Sequence, residues 1–377
     1  MSKKIIAIFI RGFHNGGIEK VFEQYLSHMD LTPFEIHIVT HMKNDPARKK
    51  VFTDMGCIIH ELSPVHGHKL TKKNISEYKA LFEKYKFDIV HNNMPDILLP
   101  LKYARKNGVP VRILHAHNDY TRGFNLKQKL MSPVYRLGYS INTSWANVLI
   151  GVSRQAAVSA FGKKADQAII LPNATELKRF AFSEDSRKKL RSKLNVNENE
   201  LLFGHVGRYE NDQKNQEFVL TVFSKYASNH DNARLVMLGD GKRRPEFEKM
   251  AADLGISSRV TFTGNVPNVA DYLCAMDIYL FPSRKEGLGI AAVEAQTTGL
   301  YALISDTVPR EALVTEDHAE FLPISGEDAA DKWLEAIDRA VASSPARDRS
   351  ASLEKAASKG YDINDQCQRL ADIYKKS

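Results

Sequence analysis

A chain of 377 residues exceeds what one ordinary hydrophobic core supports, and it suits two domains of roughly 170 to 200 residues each. Apolar residues at 43% and charged residues at 26% are typical of a globular protein and exclude the disordered and fibrous classes. No stretch approaches the ~18 to 20 apolar residues of a membrane span. The three cysteines lack the spacing of a disulfide framework or a zinc site, which favours a reducing cytosol.

The net charge of +8 is unevenly distributed along the chain. Residues 1–172 contain 25 Lys and Arg against 13 Asp and Glu, whereas the remainder contains 28 against 32. This excess predicts that the first part meets an anionic partner: membrane phospholipid, a lipid pyrophosphate carrier or nucleic acid. The absence of a zinc-finger, helix-turn-helix or aromatic-rich recognition motif disfavours nucleic acid. A basic surface that serves only solubility is the alternative.

Strand-like apolar runs recur along the chain at spacings that leave room for a helix between them. Continuous runs of this kind are typical of a parallel sheet covered on both faces. The first series is 5–10, 35–40, 57–62, 88–93, 111–116, 146–151 and 168–173. The second series is 201–207, 234–241, 260–265, 277–283 and 301–306. The sequence therefore predicts two successive α/β units with a boundary near Pro172 to Arg179.

Gly16 and Gly17 follow the first predicted strand and precede a helical pattern over residues 18–29. Two adjacent glycines at this place allow a backbone N–H group to approach a phosphate. A dinucleotide-binding fingerprint needs G-x-G-x-x-G, and His14 stands where its second glycine belongs. A phosphate-approaching loop is therefore favoured over a dinucleotide site.

His115 and His117 lie at the end of the predicted strand 111–116. Strand alternation would place them on one face, which makes a metal pair conceivable. The sequence offers no evident third ligand, so a metal site is disfavoured. A core or surface role remains open for either histidine.

Arg208 and Lys214 follow the predicted strand 201–207, where open α/β sheets bind ligands. Arginine can grip a diphosphate with two parallel hydrogen bonds, and lysine supplies a compact charge. Cations after a strand are often only solvated, so this pair alone is a weak signal. After the next strand, Gly239 and Gly241 can approach a ligand closely or can simply form a turn.

The string EGLGIAAVEAQTTG holds Glu286 and Glu294 eight positions apart. Glu286 follows the predicted strand 277–283, and the next backbone N–H groups would begin a helix at Gly289. A helix start binds phosphate or sugar oxygens, and Glu294 in the second turn could reach a ribose. Two isolated glutamates at such places would often serve only the helix macrodipole and solvation.

Taken together, these strings resemble the donor-site signature of the family 4 retaining glycosyltransferases of the GT-B fold, over almost the whole chain. The strings are GGIE at 16–19, GRYENDQKN at 207–215, GDG at 239–241, GNV at 264–266 and E-x7-E at 286–294. The resemblance implies two Rossmann-like α/β domains that face each other across a cleft, with C-terminal helices crossing back to the first domain. The implied boundaries are 1–172 for acceptor binding, 173–355 for nucleotide-sugar binding and 356–377 for the terminal helix.

The same resemblance implies transfer of a sugar from a nucleoside-diphosphate sugar, expected to be a UDP-hexose or UDP-N-acetylhexosamine, to a saccharide acceptor with retention of configuration. Arg208 and Lys214 would stabilise the leaving diphosphate, and Glu286 would orient the sugar hydroxyls. His117 would reach the donor sugar across the cleft. The other implied donor-binding residues are Gly16, Gly17, Gly239, Gly241, Asn265, Val266, Gly287, Leu288, Gly289, Ile290 and Glu294. The family needs no cofactor and no divalent metal.

With its basic first part, the chain is expected to use a lipid-linked acceptor of capsule or exopolysaccharide synthesis, as a cytoplasmic protein peripheral on the inner membrane face. Two alternatives stay open. A UDP-sugar 2-epimerase of the same fold would release a free sugar, and a non-catalytic partner of another transferase would bind the donor without turnover. One departure from the family is Tyr301, which stands where proline is frequent and should alter the entry of that strand rather than the chemistry.

Overall fold

The computed structural model describes residues 3–13, 17–42, 44–65, 71–120, 126–343 and 349–376. The chain divides into two compact units. One contains Met1–Ala174 together with Ile363–Ser377, and the other contains Thr175–Asp362. In the described part of the chain, no helix is both long and apolar enough to span a bilayer.

The first unit is built on a seven-stranded parallel sheet in the order β3-β2-β1-β4-β5-β6-β7. Its strands are Lys4–Phe9 (β1), Phe34–Thr40 (β2), Ile58–Glu61 (β3), Ile89–Asn92 (β4), Val111–Ala116 (β5), Val148–Gly151 (β6) and Ile169–Ile170 (β7). Its helices up to β7 are Gly17–His28 (α1), Pro46–Asp54 (α2), Lys72–Lys84 (α3), Leu99–Lys106 (α4), Leu126–Trp145 (α5) and Arg154–Phe161 (α6). The order reverses between β1 and β4, which is where open α/β sheets bind ligands.

The second unit is built on a six-stranded parallel sheet in the order β10-β9-β8-β11-β12-β13. Its strands are Leu201–Val206 (β8), Ala233–Leu238 (β9), Val260–Gly264 (β10), Ile278–Phe281 (β11), Tyr301–Ser305 (β12) and Ala319–Leu322 (β13). Its helices are Glu184–Lys193 (α7), Gln216–Ala227 (α8), Arg244–Asp253 (α9), Val269–Ala275 (α10), Ile290–Thr297 (α11), Ala329–Ser343 (α12) and Ser352–Ser358 (α13). The predicted α/β class with two parallel sheets is confirmed.

The terminal helix Ile363–Lys376 (α14) packs in the first unit against α1. Its apolar stripe, which includes Ile363, Cys367 and Leu370, is buried in the core that also holds Phe22. Its Tyr374 hydroxyl lies 2.7 Å from Nδ1 of His91 on β4. The helical spacing of these residues in the sequence therefore corresponds to a buried face.

The edge strand β13 was not predicted, because its four residues, AEFL, form no continuous apolar run and include a charged side chain. Glu320 on β13 accepts hydrogen bonds from the Tyr301 hydroxyl at 2.8 Å and from Arg339 at 2.7 Å. Tyr301, which departs from the family pattern, is the first residue of β12. A tyrosine at this strand entry thus fastens β12 to the edge strand beside it.

A cluster of charged groups fastens α7 to the start of β11. The Asp277 carboxylate accepts from Arg187 at 2.6 Å, from Arg191 at 3.0 Å and from the backbone N–H of Leu202 at 2.7 Å. The two arginines also donate to the carbonyl of Ala275 at the end of α10. Because the last carbonyls of a helix lack partners within it, these arginines satisfy groups that would otherwise be buried unpaired.

Candidate functional site

The predicted donor-binding residues of the second unit lie in the loops that follow four neighbouring strands. Arg208 and Lys214 follow β8, Gly239 and Gly241 follow β9, Asn265 and Val266 follow β10, and Glu286 to Ile290 follow β11. Since these strands are parallel and adjacent, all four loops emerge at one edge of the sheet. The backbone therefore gathers the predicted set at one edge of this unit.

Gly239 is required by close packing of backbone at this edge. Its N–H donates to the carbonyl of Gly264 at 2.9 Å, and its φ of +124° is a conformation that side chains rarely adopt. A Cβ atom at this position would overlap the carbonyl oxygen of Gly207. The glycine thus allows the ends of β8, β9 and β10 to meet.

Lys214 and Glu286 form an ion pair that joins the loop after β8 to the loop after β11. Lys214 Nζ lies 2.8 Å from Glu286 Oε1, and Glu286 is buried at 7% exposure. The ammonium also lies 4.9 Å from the ring centroid of Phe281. Two residues that the sequence analysis named from separate motifs are therefore in direct contact.

The loop that carries Lys214 is held independently of this ion pair. Asn215 has a left-handed backbone, with φ +57°, and precedes α8. Its Nδ2 donates to Pro282 O at 3.1 Å, while its Oδ1 accepts from Arg284 at 2.8 Å. The backbone N–H of Arg284 donates to Gln213 O at 2.8 Å. These bonds fix the backbone on both sides of the ion pair.

Arg208 lies on the same loop and is exposed. Its carbonyl accepts from Gln216 Nε2 at 3.1 Å, which ties the residue to the first turn of α8. The next residue, Tyr209, is buried, and its N–H donates to Asp240 O at 2.9 Å. A guanidinium on an anchored backbone at a strand end is accessible to an anionic ligand.

The helix α11 begins where the sequence predicts. Gly289 caps it with φ +93°, and a Cβ there would come within 3.0 Å of Val308 Cγ1. Leu288 is 1% exposed and belongs to the core, so only its backbone could contact a ligand. Glu294 is half-buried in the second turn.

Two buried residues beneath these loops were missed from the sequence. Burial raises the pKa of Tyr279 on β11 well above its usual range, with further contributions from the negative charges of Glu294 and Glu286. Both carboxylates therefore lie near one phenol. On β8, His205 Nδ1 lies 2.9 Å from Leu280 O, and burial lowers its pKa to about 4. An imidazole that is neutral at pH 7 adds no charge beside Lys214.

In the first unit, Gly16 lies outside the described residues, whereas Gly17 begins α1. His117 follows β5, is 9% exposed, and places Nε2 2.7 Å from Oδ1 of Asn93. Burial lowers the pKa of His117 to about 3, so the ring is neutral at pH 7. Asn93 was not named from the sequence, because the strand predicted over 88–93 includes it, whereas β4 ends at Asn92.

The paired histidines at the end of β5 contact each other, with ring centroids 3.9 Å apart. His115 also faces His91 on β4, its Nδ1 lying 3.1 Å from His91 Nε2. Across the ranges that the structure describes, no group of three or more His, Cys, Asp or Glu side chains has a metal-binding arrangement. The contacts described above for the His115 side chain are with the rings of His91 and His117.

Comparison with known proteins identifies both halves of the chain. A family model described as Glycosyltransferase Family 4 matches residues 15–179, and one described as Glycosyl transferases group 1 matches residues 186–359. The putative glycosyltransferase EpsF of Bacillus subtilis (strain 168) is 27% identical over 99% of this chain and 97% of its own length. The UDP-Gal:alpha-D-GlcNAc-diphosphoundecaprenol alpha-1,3-galactosyltransferase of Escherichia coli is 25% identical over 80% of this chain and 79% of its own.

The architecture agrees with these sequence matches. The crystal structure of Anabaena HepE in complex with UDP has a TM-score of 0.78 with this chain, at 15% identity, and the match covers 99% of this chain and 100% of that one. At 15% identity, this structural similarity establishes the fold and nothing further. With a family model matched in each half and a parallel α/β sheet in each unit, the chain belongs to the family 4 glycosyltransferases, glycosyl transferases group 1, of the GT-B fold.

Proposed function

We propose that this glycosyltransferase moves a sugar from a UDP-linked donor, a UDP-hexose or UDP-N-acetylhexosamine, to a lipid-linked saccharide acceptor in cell-surface polysaccharide synthesis. Transfer retains the anomeric configuration and uses no cofactor and no divalent metal. The observation that carries the proposal is the direct contact of Lys214 with Glu286 at the strand ends of the second unit. The bound UDP of HepE and the UDP-Gal donor in the name of the Escherichia coli relative support the choice of base.

The chemistry follows from the charges at this edge. The bond between the anomeric carbon and the diphosphate oxygen breaks, and negative charge develops on the departing diphosphate. Lys214 and Arg208 stabilise that charge, as do the backbone N–H groups at the start of α11. The acceptor hydroxyl bonds to the anomeric carbon on the same face and gives its proton to the departing phosphate. In this proposal, cationic side chains stabilise the developing charge, as a bound metal ion does in metal-dependent enzymes.

In this proposal, Glu286 orients the sugar. A carboxylate accepts hydrogen bonds, and sugar hydroxyls donate them. When a diphosphate engages Lys214, the carboxylate of Glu286 loses its partner and becomes available to those hydroxyls. Donor binding thus replaces the ion pair of Lys214 and Glu286 with contacts of Lys214 to the diphosphate and of Glu286 to the sugar hydroxyls. Glu294 supplies a hydrogen-bond acceptor for the ribose.

The proposal predicts that one UDP-sugar stabilises the purified protein and is slowly hydrolysed. We would screen UDP-glucose, UDP-galactose, UDP-N-acetylglucosamine, GDP-mannose and ADP-glucose by thermal shift and UDP release, with and without EDTA. The proton NMR spectrum of the first product formed should show the donor's anomeric configuration. Glu294→Ala should weaken both responses. Release of a free 2-epimer would support the epimerase alternative, and binding without turnover would support the non-catalytic one.

A surface of the first unit supports a lipid-linked acceptor. A cavity of about 570 Å³ lies between α5 and α6, and its lining includes Tyr139 and Phe161. Three cations, Arg136, Lys163 and Lys164, also line it. Beside them, Val134, Leu137 and Val158 are exposed large apolar side chains. Apolar groups next to cations suit a surface of anionic lipid, and the acceptor in the name of the Escherichia coli relative carries a diphosphoundecaprenol.

We expect the protein to co-sediment with vesicles of phosphatidylglycerol and phosphatidylcholine at low salt, and the double variant Lys163→Glu/Lys164→Glu to bind them about 30-fold less tightly or worse. Each basic charge near an anionic surface contributes about 1 kcal/mol. The matched control is Lys188→Glu/Lys189→Glu, an exposed lysine pair on α7 in the second unit. Equal loss in both variants would assign binding to net charge rather than to this surface.

A further inference from the structure

Asn93 and His117 occupy equivalent places on neighbouring strands. Asn93 directly follows β4 and His117 directly follows β5, and these strands pair in parallel register. Both residues are buried, at 1% and 9% exposure. Their side chains meet at the strand ends, with Asn93 Oδ1 2.7 Å from His117 Nε2.

The orientation of the Asn93 amide is fixed by its other contacts. Its Nδ2 donates to Phe9 O at 3.2 Å and lies 3.5 Å from His91 O. Carbonyl oxygens only accept hydrogen bonds, so a reversed amide would set Oδ1 against two acceptors. Oδ1 must therefore face His117, and Nε2 of His117 must carry the proton that it accepts.

The remaining ring nitrogen of His117 then has only a lone pair. The ring is neutral, because burial disfavours the charged form. Within the residues that the structure describes, His117 Nδ1 is buried and has no hydrogen-bond partner. The ring itself is held by His115 and by the edge of Phe22, whose centroid lies 6.4 Å away. A buried acceptor without a partner is costly unless a ligand supplies the donor.

We infer that Asn93 is a positioning residue that fixes the tautomer of His117, so that His117 Nδ1 presents only a hydrogen-bond acceptor to a ligand. The group that it selects must be a donor, such as a sugar hydroxyl. A group that only accepts, such as a phosphate oxygen or a fluorine in place of that hydroxyl, is disfavoured there. The sugar as ligand rests on the proposed function, whereas the tautomer rests on the contacts of Asn93 alone.

The test is the nitrogen NMR spectrum of histidine-labelled full-length protein without ligand, near pH 7. Wild-type His117, assigned by its loss in His117→Gln, should show a protonated Nε2 and a lone-pair Nδ1. His205 is an internal reference of the opposite kind, since its Nδ1 donates to Leu280 O. Its signals should not change in any Asn93 variant.

Two substitutions at Asn93 distinguish a role in fixing the tautomer of His117 from a role in packing alone. Asn93→Leu keeps the volume but removes the acceptor, and we expect the two nitrogen signals of His117 to move towards each other as both tautomers become populated. Asn93→Asp keeps an acceptor opposite His117 Nε2, so we expect Nε2 to stay protonated and Nδ1 to keep its lone pair. A protonated Nδ1 in wild type, or unchanged shifts in Asn93→Leu, would overturn the inference. No response to any nucleotide sugar would instead overturn the proposed function and leave the tautomer as measured.

Discussion

Replacing Lys214 with methionine is expected to lower the turnover number for sugar transfer about 100- to 1,000-fold. Removal of one preorganised charge-stabilising group from an active site typically causes a loss of this size. Methionine preserves the length and most of the packing of the lysine stem. It removes the ammonium that lies 2.8 Å from Glu286. The loss falls on turnover because negative charge on the diphosphate increases as its bond to the sugar breaks.

The measurement is the steady-state rate of UDP release with the UDP-sugar found in the screen. Lys225→Met is the matched control: Lys225 is a half-exposed lysine on α8 that pairs with Asp331 at 2.9 Å. We expect its activity to equal that of wild type. Activity of Lys214→Met within a few-fold of wild type would remove the leaving-group role from this residue.

A second variant separates catalysis from folding. Lys214→Met alone leaves the largely buried carboxylate of Glu286 without its cation, which destabilises the protein. Lys214→Met/Glu286→Gln removes both charges and should recover most of the lost thermal stability. Its turnover should stay low, because neither the cation nor the carboxylate is present. Recovery of activity together with stability would mean that the ion pair serves only the fold.

Glycine loops, cations after strands and the paired glutamates could be predicted from sequence because each is tied to a strand end. Such positions follow from periodicity and from turn residues alone. The contact between Lys214 and Glu286 could not be predicted, since it depends on the order of β8 and β11 in the sheet. Gly239 illustrates the same limit. A glycine is required there because a Cβ atom would overlap the carbonyl oxygen of Gly207, a neighbour that sequence spacing does not reveal.

The residues that sequence analysis missed are those whose role comes from tertiary neighbours. His205 and Tyr279 lie inside strands and fit the apolar pattern of buried sheet residues, so periodicity assigns them to the core. Asn93 follows a strand, but its importance appears only when β4 pairs with β5 and brings it to His117. A rule that treats every polar residue at the end of a predicted parallel strand, or just after it, as a site candidate would have included Asn93.

The largest expected loss of stability is in Asp277→Ala, at about 3–5 kcal/mol for the second unit. Asp277 is the shared partner of Arg187 and Arg191, and its side chain is 12% exposed. Removal of one partner leaves largely buried positive charges uncompensated, which costs far more than loss of a surface ion pair. Asp331→Ala, which breaks the exposed pair with Lys225, should change stability by no more than about 1 kcal/mol.

The two tryptophans allow this loss to be measured in one unit. Trp145 lies in the first unit, whereas Trp333 is fully buried in the second. In a Trp145→Phe background, urea unfolding followed by fluorescence reports on Trp333, and Asp277→Ala should lower the midpoint without a large change in slope. Asp277→Asn keeps an acceptor for the backbone N–H of Leu202 and should lie between alanine and wild type. A shift for Asp277→Ala no larger than that of Asp331→Ala would mean that the carbonyls at the end of α10, rather than the carboxylate, hold these arginines.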